Sequence, residues 1–181
     1  KAARETEGVT LTWEGHFIDP LFTHTTTGFT RPGDEEHPYL ASVSCVHDPE
    51  EEGFVQEMIM QPEEAAKRVS AIPAGDGSFR TIPPEAFPEQ VQIISRDEAG
   101  YALQLQIGGF PFNGEEVRLA LGLPSACFEL NRHGSDVRFT VRGRGHGWGL
   151  SQTEAQALAE DGWSAEAILE YFYTGISFSS E

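Results

Sequence analysis

The alternation of hydrophobic and polar residues along the chain predicts mostly β-structure. Residues 9–13 and 17–22 flank a short turn at Gly15 and read as the two arms of a hairpin. Residues 101–107 place Tyr101, Leu103, Leu105 and Ile107 on one face of a strand, with glutamines on the other. Further strands are predicted at residues 39–46, 54–60, 91–95, 128–130 and 137–141.

Helix signals are fewer and fall mainly near the end of the chain. Residues 62–69 begin with proline at a first helical position, and residues 115–121 lie between the N-cap Asn113 and the terminator Gly122. Ser151 opens one closing helix, which Gly162 ends, and Ser164 caps a second. The sequence therefore predicts one α+β domain over residues 1–181, rich in β-structure, with two C-terminal helices and a few short ones.

Charge excludes several classes of partner. Twelve Lys and Arg against 29 Asp and Glu give a formal net charge of −17, which repels nucleic acid and anionic lipid. No apolar run approaches the ~20 residues of a membrane span, so no membrane contact is expected from this segment. The acidic run at residues 48–53 reads as a solvated turn, and residues 1–7 read as the tail of a helix in a longer protein.

The stretch of residues 142–149 alternates glycine with larger side chains. If it is extended, Arg142, Arg144, His146 and Trp148 point one way, and the bare glycine faces let a ligand or another strand approach. The alternative is a tight turn that needs glycine at positive φ. Eight residues of strict alternation favour a binding site, although a histidine between glycines is also typical of a backbone clasp.

Other motifs carry weaker signals. Residues 149–153 resemble a nucleophile elbow centred on Ser151, but the closing glycine of that motif is missing. Ser151 is therefore better interpreted as a helix N-cap. His24, Cys45 and His47 are residue types that bind zinc, but their spacing matches no standard site. Cys45 and Cys127 are compatible with free thiols, a bridge or a metal site. No motif indicates a cofactor.

Three segments resemble the stage II sporulation protein D (SpoIID/LytB) family. The family's Gly-x-Gly-His-Gly-x-Gly-Met-Ser-Gln stretch stands here at residues 143–152, its Phe-His-Ser-Thr-Ser-Gly-Gly-x-Thr block at residues 22–30, and its Arg-x-x-Leu-Gly-Leu-x-Ser block at residues 118–125. The resemblance runs in order from about Thr6 to Ile176. This chain departs from the pattern at Thr23, His24, Thr27, Leu150 and the pair Thr153-Glu154, which replaces Tyr-Gly.

The resemblance implies an extracytoplasmic protein that acts on peptidoglycan as a lytic transglycosylase of glycan strands stripped of stem peptides. It places the catalytic Glu on a helix before residue 1, so that this domain lacks its N-terminal catalytic segment. Glycan binding is expected from Thr25, Thr26, His146, Ser151 and Gln152, with Arg142 and Arg144 as further donors. A non-catalytic glycan-binding or amidase-enhancing module, partnered by a cell-wall amidase, is the alternative.

Overall fold

A computed structural model describes residues 8–180, and the interpretation of residues 1–7 as a helix end lies outside this range. Within it the chain forms 11 strands and four α-helices, which confirms the α+β class. The strands are β1 Val9–Trp13, β2 His16–Phe17, β3 Phe22–Thr23, β4 Val55–Met60, β5 Val91–Arg96, β6 Ala102–Ile107, β7 Phe110–Asn113, β8 Phe128–His133, β9 Asp136–Arg142, β10 Leu150–Ser151 and β11 Ile176–Ser180. The helices are α1 Pro62–Ser70, α2 Gly114–Leu121, α3 Gln152–Glu160 and α4 Ala165–Phe172.

The strands pair in several small sheets. Three are antiparallel and three-stranded, in the orders β11-β1-β2, β4-β9-β8 and β5-β6-β7. The fourth is the parallel pair of β10 with β3. This short pair joins residues 22–23 to the segment that leads into α3.

Two apolar clusters form most of the core. The larger one gathers α1, β6, β8 and β9 around Val69, Leu105, Phe128 and Phe139, all of them buried. The second packs α4 against the loop that follows residue 38, and its members include Cys45 and Phe172. The candidate site lies beside this second cluster, where α3 meets the N-terminal loops.

The predicted helices are confirmed by their caps. The side chain of Asn113 accepts a hydrogen bond from the Glu115 N–H at 2.8 Å, and Gly122 ends α2 with a φ of 72°. Ser151 and Ser164 cap α3 and α4 in the same way. These signals succeed because each depends on a local arrangement of donors and acceptors.

Several strand predictions are wrong in extent. Residues 39–46 form no strand, and only Leu40 and Ser44 make single bridge pairs, because the segment bonds instead to the hydroxyl and main chain of Thr30. The second hairpin arm stops at Phe17, shortly before Pro20, which has no N–H to donate. Leu103, expected on the buried face, is 38% exposed. The strands β7, β10 and β11 were not predicted.

Candidate functional site

The glycine-rich segment is a series of turns and not a regular strand. Gly143, Gly145, Gly147 and Gly149 have φ values of 72°, 109°, 84° and 72°, in the region that L side chains avoid. The extended ribbon with all large side chains on one face is therefore wrong, and the positive-φ alternative is right. Glycine recurs at every second position of residues 143–149 because the backbone has a positive φ at each of these positions.

The bare glycine faces contact the protein's own chain. A Cβ on Gly149 would overlap the carbonyl oxygen of Leu21, and one on Gly147 would overlap the ring of Tyr101. Thr25 and Arg144 exchange backbone hydrogen bonds of 3.0 and 2.8 Å. Other segments of the same chain, including Leu21, Thr25 and Tyr101, therefore occupy the space beside these glycines.

A buried carboxylate joins the two segments below the surface. Asp48 is 0% exposed, and its Oδ2 accepts hydrogen bonds from the Thr26 N–H and hydroxyl, both at 2.6 Å. The Ser151 hydroxyl donates to the same carboxylate at 2.8 Å. Burial raises the pKa of Asp48, against the opposing effect of these donors. The interpretation of the acidic run as wholly solvated is therefore wrong at its first residue.

Glu154, in the first turn of α3, forms a second buried contact. It is 2% exposed, and its two oxygens accept hydrogen bonds from His47, one from the backbone N–H at 2.8 Å and one from the ring Nδ1 at 3.1 Å. This hydrogen bond raises the pKa of His47, with burial acting in the opposite direction. Glu154 thus fixes both the main chain and the ring orientation of His47.

A cleft of about 550 Å³ opens above these contacts. One wall consists of loop residues, which are His24, His47, Glu50 and Glu51; the other is the exposed side of α3, with Gln152, Thr153, Gln156, Ala157 and Glu160. The His24 Nδ1 lies 2.8 Å from the Thr25 hydroxyl, which lies 2.9 Å from the Thr153 hydroxyl. A hydrogen-bonded chain therefore ties the two walls together at the base of the cleft.

The structure places the predicted site residues in different surroundings. Gln152 lines the cleft. Thr25, Thr26 and Ser151 are at most 2% exposed and serve internal hydrogen bonds beneath it. Arg144 is exposed in a small hollow beside the cleft, together with Glu51, whereas Arg142 pairs with Glu129 at 3.2 Å.

His146 lies apart from the residues that line the cleft. Its Nδ1 accepts the Trp148 N–H at 3.1 Å, and burial lowers its pKa. It borders a cluster around the buried Arg31, whose guanidinium lies 3.7 Å from the centre of the Trp148 ring and bonds to Asp97 at 2.6 Å. The interpretation of His146 as a backbone clasp describes this geometry, and its role in glycan binding stays a prediction.

The structure gives no support for a metal centre. Within residues 8–180, no group of three or more His, Cys, Asp or Glu side chains is arranged to hold a metal ion. Cys45 and Cys127 are both free and buried, which answers the question that the sequence left open. Burial raises the pKa of Cys45 to about 12, so this thiol is protonated near neutral pH.

The comparisons with known proteins give a consistent result. No family model matches the chain. Two curated relatives do, both stage II sporulation protein D, from Bacillus amyloliquefaciens and Bacillus subtilis (strain 168). Each is 29% identical over 182 residues, which cover 98% of this chain and 50% of the relative. The chain thus spans about half the length of the curated relatives that it matches.

These matches show that the chain is similar to stage II sporulation protein D over nearly its whole length. The similarity agrees with the order of the motifs at residues 22–30, 118–125 and 143–152. In the part of the chain that the structure describes, no helix is long and apolar enough to cross a membrane.

Proposed function

We propose that this chain forms the glycan-binding part of a cleft that cleaves peptidoglycan strands, freed of stem peptides, by lytic transglycosylation. The observation that carries the proposal is the meeting of two family segments, residues 22–30 and 143–152. They hydrogen bond to each other and both reach the same cleft, through His24 and Gln152. The location that follows from this substrate is the cell envelope, outside the cytoplasm.

The size and the chemistry of the cleft suit a sugar. About 550 Å³ falls within the roughly 300–1,000 Å³ of typical small-ligand sites. Its lining offers amide, hydroxyl, imidazole and carboxylate groups that can hydrogen bond to sugar hydroxyls and acetamido groups. Gln152 and Gln156 lie one helical turn apart on the exposed side of α3, so that both amides serve one wall.

The reaction needs one proton shuttle. A carboxylic acid protonates the glycosidic oxygen while the C1–O bond breaks, and the resulting carboxylate then takes the proton of the sugar's own 6-hydroxyl as it attacks C1. The product is a 1,6-anhydro sugar, and no water is consumed. In this proposal the acid comes from outside these 181 residues, and the chain described here holds the glycan against it.

A test uses the whole protein and the 181-residue chain with peptide-free glycan strands. The whole protein should release 1,6-anhydro ends, detected by mass spectrometry, and the chain alone should bind strands without releasing such products. Gln152→Ala should weaken binding, whereas Gln92→Ala, at an exposed position of β5, should not. Anhydro products from the 181-residue chain alone would contradict the external position of the acid, and absence of binding by both proteins would contradict the proposal.

The second candidate is a non-catalytic glycan-binding or amidase-enhancing module. It is favoured by one observation: the buried carboxylates of Asp48 and Glu154 beneath the cleft are engaged by internal donors. The same assay separates the two functions. Glycan binding by the whole protein without anhydro products, combined with faster stem-peptide release by an added cell-wall amidase, would favour the module.

A further inference from the structure

Glu154 fixes the orientation of the His47 imidazole from beneath the cleft. One of its carboxylate oxygens accepts the backbone N–H of His47 at 2.8 Å, and the other lies 3.1 Å from the ring Nδ1. Because an ionised carboxylate only accepts hydrogen bonds, Nδ1 carries a proton. The side chain of Glu154 is 3% exposed, whereas that of His47 is 36% exposed and lines the cleft. A buried anion therefore holds one edge of the ring and leaves the other edge for a ligand.

The nitrogen on that other edge is Nε2. Within residues 8–180, no protein group hydrogen bonds to it. In the neutral ring, with Nδ1–H bound to Glu154, Nε2 is an acceptor; in the imidazolium it is a donor. The protonation state of His47 thus decides which kind of ligand atom this edge of the ring can bind.

The charges around His47 favour the imidazolium. The hydrogen bond to Glu154 raises the pKa of the ring, against the opposing effect of burial. The carboxylates of Asp161 and Glu50 act in the same direction as Glu154. The other titratable or charged groups at this surface are Glu51, Glu160 and His24 in the lining and Arg144 in the adjoining hollow. Among the described residues that line the cleft none is Lys or Arg, so a cationic donor in the lining has to be a histidine.

An imidazolium donor distinguishes between the acceptors of a glycan. A carbonyl oxygen only accepts and so requires a proton on Nε2, whereas a sugar hydroxyl can donate or accept and bonds to both forms of the ring. An anionic acceptor would lie near the exposed carboxylates of Glu50, Glu51 and Glu160, which repel it. The neutral carbonyl oxygen of an acetamido group is therefore the acceptor that suits these surroundings.

We propose that His47, oriented by Glu154, donates a hydrogen bond from its protonated Nε2 to the acetamido carbonyl of an N-acetylated sugar in the cleft. This inference rests on the proposed function, to which it adds a specificity-determining residue and a positioning residue. The side-chain oxygens of Gln152 and Gln156 and the carboxylates of the lining are acceptors for the acetamido N–H. The lining thus offers a partner of the right kind to each polar end of the acetamido group.

The test measures binding of a β-1,4-linked N-acetylglucosamine tetramer to the whole protein by calorimetry at about pH 5.5 and about pH 8.5. Because the pKa of His47 is raised, the donor is present at the lower pH and is lost as the pH rises through that pKa. A charged donor makes a hydrogen bond roughly twice as strong as a neutral one, so we expect about fivefold to tenfold tighter binding at the lower pH.

Two results of this measurement would overturn the inference. One is an affinity that is equal at both pH values or higher at the upper pH, which leaves the proposed function standing. The other is absence of tetramer binding at both pH values, in which case the assay with peptide-free strands decides the proposed function separately.

Histidine variants assign the gain in affinity to one ring. His47→Gln should abolish the gain at the lower pH, because an amide does not titrate. The matched control His16→Gln, at an exposed position of β2 that does not line the cleft, should keep it. His24→Gln should keep it as well. A gain that survived His47→Gln and disappeared in His24→Gln would belong to the other imidazole and overturn the proposal.

Glu154→Gln tests the positioning role. The amide keeps the shape of the side chain and one acceptor oxygen but removes the negative charge beside Nδ1. The midpoint of the pH-dependent gain should therefore move to lower pH, which loss of packing alone would not cause. An unchanged midpoint would contradict the role of Glu154.

A β-1,4-linked glucose tetramer is the matched ligand, because it has a hydroxyl in place of each acetamido group. It should bind more weakly than the acetylated tetramer at the lower pH and show no gain there, since a hydroxyl bonds to both forms of the ring. A gain as large as that of the acetylated tetramer would mean that the protonated ring acts on another group of the sugar, and would overturn the proposal.

Discussion

Removing the Asp48 carboxylate should destabilise the protein by several kcal/mol. Asp48→Ala deletes an acceptor that serves the Thr26 N–H, the Thr26 hydroxyl and the Ser151 hydroxyl in a fully buried position. Each buried donor left without a partner costs about 1–3 kcal/mol. The Ser151 hydroxyl can turn toward the His24 carbonyl oxygen, 3.4 Å away, which recovers part of the loss. The expected cost is therefore about 3–5 kcal/mol.

Urea unfolding, followed by circular dichroism, measures this cost. Asp48→Asn keeps one acceptor oxygen and the side-chain shape, so it should cost about 1–2 kcal/mol. Glu52→Ala, an exposed change in the same loop, should stay within about 0.5 kcal/mol of the parent protein. A loss below about 1 kcal/mol for Asp48→Ala, or equal losses for the Ala and Asn variants, would refute the reasoning that the three donors depend on this acceptor.

Three further predictions concern the same region. Gly149→Ala should lower the free energy of unfolding by about 3 kcal/mol or more, because the added Cβ would overlap the Leu21 carbonyl. Gly162→Ala, at a φ of 90° with open space around it, should lower it by only about 1 kcal/mol; thermal unfolding measures both. Glu154→Gln should lower the pKa of His47, followed by its ring proton NMR signals. Because the pKa of His47 is raised in the folded state, the contact between His47 and Glu154 stabilises the folded protein fully below about pH 6.5, and this stabilisation is lost as the pH rises through the pKa of the folded state. A difference in unfolding free energy between parent and variant that grew with pH would contradict this. Both cysteines should react slowly with a thiol reagent until the protein unfolds, since burial raises their pKa values, that of Cys45 to about 12; rapid modification of the native protein would be inconsistent with this burial.

Local chemistry made the helices and the hairpins predictable from the sequence. A cap such as Asn113 or Ser151 needs only its neighbours in the chain, and the hairpin of β8 and β9 needs only a turn between two alternating runs. The strand β11 could not be found in this way. Its residues Ile-Ser-Phe-Ser-Ser do alternate, but the strand pairs with β1, more than 160 residues away, and nothing in the local sequence identifies that partner.

In the candidate site, too, some features could be predicted from the local sequence and others could not. The motif of residues 143–152 drew attention to a segment that reaches the candidate cleft at Gln152, but it did not predict the geometry, because alternating glycine is compatible with either a strand or a series of turns. Asp48 and Glu154 were missed as buried groups, since an acidic loop and a helix surface are the usual places for carboxylates. The one available signal was Glu154 itself, which stands where the family pattern has glycine.

The pairing of Val9 with Ser180 brings two positions near the limits of the described chain side by side, at the same end of the neighbouring strands β1 and β11. A short linker between these positions would therefore close the polypeptide into a ring with little distortion. The ring could then be reopened at the exposed bend around Gly134 and Ser135 without cutting any element of the core. Such a rearranged molecule would keep the residues of the cleft in one continuous fold and would place its new ends at this exposed bend.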